Sequence, residues 1–63
     1  MTTGQIGEAL THATGLEQAA RAHWQAAPTL AERDAALAIV RQVTPVIRAL
    51  EQWIAARAVR AAQ

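Results

Sequence analysis

Cysteine, serine, lysine, asparagine, phenylalanine and tyrosine are all missing from this 63-residue chain. Without cysteine there is no disulfide to staple a small fold and no thiolate to hold zinc. Without serine or cysteine the common hydroxyl and thiol nucleophiles are gone, and without lysine so is Schiff-base chemistry. Glycine is scarce: Gly4, Gly7 and Gly15 lack the spacing of a phosphate-binding loop, and no strand-like run precedes them. These absences set the expectation that the chain is not an enzyme and carries no cofactor and no metal.

Long apolar runs are missing too. The longest uncharged apolar stretch, Ala35 to Val40, falls far short of the roughly 20 residues that a membrane-spanning helix needs. The amino terminus has neither the basic start nor the apolar segment of a secretory signal. The expected location is cytoplasmic, with no membrane partner. A net charge of +1, from six arginines and five acids, exerts little pull on a polyanion.

Alanine fills 17 positions and makes up most of the apolar half of the chain. It is the best helix former, yet it buries little area. Only fifteen larger apolar side chains (Leu, Ile, Val and Trp) accompany it, a set suited to thin, closely packed helices. A chain this short buries only about 60% of its unfolded surface, so self-association is the expected source of added stability.

The segment Ala27-Pro28-Thr29-Leu30-Ala31-Glu32 divides the chain. Thr29 and Glu32 have capping-box spacing, and Pro28 lies just outside the cap, where a preceding helix must have ended. The expected fold is all-α, one domain over 1–63. A first helix runs from about 4 to 26 with Thr3 as N-cap, and a second from about 30 to 62 with a kink near Pro45. The first helix has an apolar stripe at Ile6, Leu10, Ala13, Leu16, Ala20 and Trp24, in steps of three and four. Gly7 and Gly15 interrupt it, and Gly15 suits either a loosened helix or a close helix–helix approach.

Pro45 admits two readings. Thr44-Pro45 has the form of an N-cap followed by proline at the first helical position, which gives a three-helix bundle. Val40, Val43, Ile47, Leu50 and Ile54 nevertheless keep their three–four rhythm across the proline, which favours one bent helix.

Folding the hairpin at Pro28 sets Leu37 near Ala20, Val40 near Glu17 or Leu16, Ile47 near Leu10, and Leu50 near Ile6 or Gly7. Trp24 is then expected against Leu30 or Arg33. The last turns, from Trp53 to Ala62, have no neighbour on the first helix. The expected partner interface is Val40, Val43, Ile47, Leu50, Trp53 and Ile54. It would pair two hairpins into a dimeric four-helix bundle or dock onto a helical protein partner.

His12 and His23 lie eleven residues apart, near one helical face, and Glu8 is one turn before His12. Such a pair arises often without a metal, and the second helix offers no matching acids among Glu32, Asp34 and Glu51. Arginine supplies the alternative function: Arg41, Arg48, Arg57 and Arg60 are candidates for phosphate contacts in a nucleic-acid-binding regulator, doubled by dimer symmetry. The leading expectation is a non-catalytic module that acts through its apolar seam.

Overall fold

The computed structural model describes residues 2–62, which form two α-helices, α1 (Thr3–Ala26) and α2 (Leu30–Ala62), packed against each other as a hairpin. The molecule is a rod measuring 51 × 16 × 15 Å. Its long dimension is that of α2, whose 33 residues at about 1.5 Å each span the whole length.

Each helix starts on a threonine. At α1 the cap is Thr2, one residue before the expected Thr3. The Thr2 hydroxyl accepts from the Gln5 N–H at 3.2 Å, and the Gln5 side-chain oxygen accepts from the Thr2 N–H at 2.8 Å. The reason is chemical: a box opened at Thr2 finds glutamine three residues on, whereas one opened at Thr3 would find Ile6, which has no acceptor. At α2 the Thr29 hydroxyl accepts from the Glu32 N–H at 3.2 Å, and the Thr29 carbonyl from the Arg33 N–H at 3.1 Å. Only the threonine half of that second box is formed.

Pro45 sits inside α2, which runs through it as one helix. The three-helix alternative is therefore excluded. Proline withholds the N–H that would bond the carbonyl of Arg41. Both residues lie on the exposed side, where water can take that carbonyl's bond and a bend does not disturb the seam. The Thr44 hydroxyl, which would have capped a third helix, instead donates to the Glu17 carboxylate on α1 at 2.6 Å.

That bond reveals the register. Leu37, expected near Ala20, shares a groove with Trp24 instead, and Val40, expected near Glu17 or Leu16, lies there with Arg21. The pairing is displaced by four residues, one helical turn. Arg57 consequently reaches Thr3, donating to its hydroxyl at 3.2 Å. The nine residues by which α2 exceeds α1 (33 against 24) are shared between the two ends of the rod. The expectation that every turn from Trp53 onward lacks a neighbour is corrected: Ile54 and Arg57 are half-buried.

The connector explains the slide. Ala27 leaves α1 extended (φ −65°, ψ 129°) and Pro28 follows it. The four Cα steps from Ala26 to Leu30 can cover at most about 14 Å. Crossing between helix axes takes only about 8–10 Å, so α2 can begin a turn beyond the end of α1. Leu30, on that projecting turn, is 77% exposed. Trp24 accordingly packs beside Leu37 and Val40, away from the expected Leu30 or Arg33.

The core is thin. Ile6 is the single large side chain fully enclosed among the described residues, and Ala20, Ala27 and Ala36 make up the rest of the buried set. On α1 the inward stripe runs through Ile6, Leu10, Ala13, Glu17 and Ala20, and Leu16 points outward. Sequence rhythm preferred the leucine because it is apolar; the structure turns the glutamate inward, where Thr44 meets it. Gly15 is exposed, and a methyl group added there would meet nothing within 4 Å, so no helix approaches closely at that point.

Two substitutions test this packing. Gly15→Ala should stabilise the fold by about 0.5–1 kcal/mol through helix propensity alone. Pro45→Ala restores a backbone bond on the exposed side and should raise the thermal midpoint in circular dichroism; a lowered midpoint would mean that the proline is needed for packing.

Candidate association surface

The helical phase of α2 turns three groups of residues in different directions. Val40, Val43, Ile47, Leu50 and Ile54 are half-buried against α1. Five of the six expected interface residues thus build the seam of the hairpin itself. The sixth, Trp53, is not in that stripe and remains 44% exposed.

Trp53 belongs to a second stripe. Ile39, Val46 and Trp53 are seven residues apart, so they share one side of the helix, and all three are exposed. Beside Ile39 a shallow groove is lined by Leu16, Ala19 and His23 of α1 and by Ala35 and Ala36 of α2. Leu16, on the α1 side of this groove, is 49% exposed. Three–four spacing puts Leu16 in the inward stripe of α1, and leaves Ile39 and Val46 outside the α2 seam with no role assigned. The signal was nonetheless present, in the strict sevens of Ile39, Val46 and Trp53.

The opposite groove is different. It is lined by Arg21, Trp24, Leu37 and Val40. Stepping from Leu37 by four and three gives Arg41, Thr44, Arg48 and Glu51, which places the charged residues of central α2 along that side. The Ile39 side is uncharged along its middle, whereas the other side mixes Trp24 and Leu37 with Arg21, Arg41 and Arg48.

The four candidate arginines do not form one stripe. Arg41 and Arg48 are exposed and seven apart. Arg57, nine residues beyond Arg48, lies half a turn around the helix. There it bonds Thr3 and stands 5.5 Å from the Trp53 ring centroid. Arg60 is exposed in the last turn, where its charge complements the negative helix end. His12 is exposed, and His23 lines the apolar groove. Among the described residues no group of three or more His, Cys, Asp or Glu side chains could hold a metal ion. Among them, too, no helix is long and apolar enough to cross a membrane.

One polar cluster interrupts the seam. Glu17 accepts from the Thr44 hydroxyl and pairs with the Arg21 Nε at 3.5 Å; its side chain is 20% exposed, against 59% for Arg21. The arginine side of this pair is largely solvated and contributes little. The threonine bond crosses between the helices and is the stronger structural constraint, being short and made to an ionised acceptor.

Compared with known proteins, the chain matches no family model, no curated protein and no solved structure.

Thr44→Val keeps the side-chain volume and removes the donor. It should cost about 1.5–3 kcal/mol, the usual range for a hydrogen bond to a charged group. Thr29→Ala, which removes only a cap, should cost about 1 kcal/mol. Urea denaturation at one fixed protein concentration ranks the two, and an equal or smaller loss for Thr44→Val would remove the pair's special role.

Proposed function

We propose that the chain is a non-catalytic helical interaction module that works by covering its exposed apolar side with another helical surface. One observation carries this reading: Leu16, Ile39, Val46 and Trp53 on that side are all at least 39% exposed, with Trp24, Leu30 and Val59 exposed elsewhere, while among the described residues Ile6 is the one large side chain fully enclosed. Enclosing a side chain of this size is worth about 1.5–3 kcal/mol relative to full exposure. A hairpin with so small a core gains from a partner, because both helices leave large apolar side chains exposed that the other does not cover.

The proposal makes a seam substitution costly to folding and association alike. Ile47 faces α1, so Ile47→Asp should lose both helicity and association. Wild-type protein should show a mass above that of the 6.7 kDa chain in light scattering coupled to size exclusion. Its thermal midpoint should rise over a roughly hundredfold increase in concentration, as linked association requires. A monomer with a concentration-independent midpoint and no affinity for helical proteins overturns the proposal.

A second reading, nucleic-acid binding, is favoured by the placement of Arg21, Arg41 and Arg48 on the side away from the apolar stripe. Glu17 and Glu51 share that side and oppose the field. Retardation of DNA or RNA that weakens steeply with salt, and that Arg41→Ala and Arg48→Ala together abolish, would support it.

A further inference from the structure

We infer that the face carrying Leu16, Ile39, Val46 and Trp53 takes a second copy of this chain, laid antiparallel across a two-fold axis that passes beside Leu16 and Val46. This inference rests on the association reading and names its surface, occupant and orientation.

Charge argues for a like partner. Along the Ile39 side of α2, the positions reached by steps of three and four are Ala35, Ile39, Gln42, Val46, Ala49, Trp53 and Ala56. None of these seven carries a charge; the same sevens end on Glu32 and Arg60, opposite charges at opposite ends of α2, and Arg57 stands beside Trp53. The corresponding side of α1 offers Ala9, His12, Leu16, Ala19 and His23, and again no carboxylate or guanidinium. A uniformly charged partner finds little complementary in the uncharged middle of this face, whereas an antiparallel second copy brings Glu32 of one chain to the level of Arg60 of the other and sets no like charges together.

Shape points the same way. The molecule is 51 Å long and 16 Å wide, so a contact along its whole length approaches at most about 800 Å², the area per partner in a standard stable interface. A second copy has the same length and fills it end to end.

The axis follows from the register. Val46 is seven residues from Ile39 and seven from Trp53. Because Glu17 faces Thr44, Leu16 lies at the level of Val46. A two-fold axis crossing the rod there sets α2 on the second copy's α2, with Ile39 against the second copy's Trp53 and the two Val46 side chains meeting at the centre. Leu16 meets its own copy on α1. An axis running along the rod would instead place Trp53 over Gln5 and Ala9, and Ile39 over Ala19 and His23, mixing apolar with polar groups. The crosswise axis pairs the large apolar groups with one another.

The absence of cysteine makes the test clean. Val46→Cys in the full chain should form a disulfide-linked dimer under mild oxidation while keeping wild-type helicity. Ile39→Cys should not, because its two copies lie about 21 Å apart across the axis, far beyond the Cα separation of about 4.4–6.8 Å that a disulfide spans. Arg48→Cys, on the polar side, should not cross-link either. Trp53→Glu should leave a helical monomer, with association weakened about tenfold or more; it also serves as the readout if Val46→Cys does not fold. Cross-linking through Arg48→Cys or Ile39→Cys but not Val46→Cys, in a dimeric wild type, overturns this face and axis and leaves the association reading standing. A wild type that is monomeric at every concentration overturns the second copy as occupant, and binding of a different helical protein would then be what preserves the broader reading.

Discussion

A carboxylate placed in the seam between two alanine-rich helices must find a donor, and this constraint organises the hairpin. Glu17 is turned inward near the middle of α1, with four-fifths of its side chain removed from solvent. Left unpaired there it would lose hydration without compensation. The Thr44 hydroxyl meets it across the seam at 2.6 Å. Apolar contacts between alanines and branched residues tolerate sliding, because one turn of such a helix resembles the next. A single cross-helix polar pair does not, and a lone polar contact in an apolar seam is an established way to specify register.

The ends of the molecule follow from that register. With Glu17 opposite Thr44, α2 projects past α1 at both ends, and Arg57 arrives beside the first turn of α1, where it bonds Thr3. Its guanidinium also lies near the Trp53 ring, holding the indole at the edge of the apolar side. The same register brings Leu16 level with Val46. The seam's polar pair and the outer apolar stripe are thus linked: a slide of one turn would uncouple the apolar groups of the two helices on the outer face.

The two prolines show how one residue type can act in opposite ways. Pro28 follows an extended Ala27 and ends α1, because the residue before a proline is pushed away from helical geometry. Pro45 lies within α2 without ending it. The difference is the setting. At Pro28 the next residue is a threonine that caps a new helix with its own hydroxyl. At Pro45 the neighbouring threonine is committed across the seam, and the apolar residues on both sides of the proline are held against α1.

Much of the architecture is local in origin and was legible in the chain: the all-α class, the division at Pro28, the Thr29 cap, and the continuation of α2 through Pro45. Each rests on interactions within a few residues or on a periodicity that repeats along the chain. The start of α1 could also have been placed correctly, since the box from Thr2 to Gln5 is written in the sequence beside the less suitable Thr3. What only the tertiary structure decided is how the two helices slide and rotate against each other. That choice compares many nearly equal apolar contacts over long sequence separation, and a single hydrogen bond from Thr44 to Glu17 tips it. The three–four rhythm had already grouped Val40, Val43, Ile47, Leu50 and Ile54; rotation laid that stripe on α1 rather than on a partner and turned Leu16 outward in favour of Glu17, which hydrophobicity alone could not show.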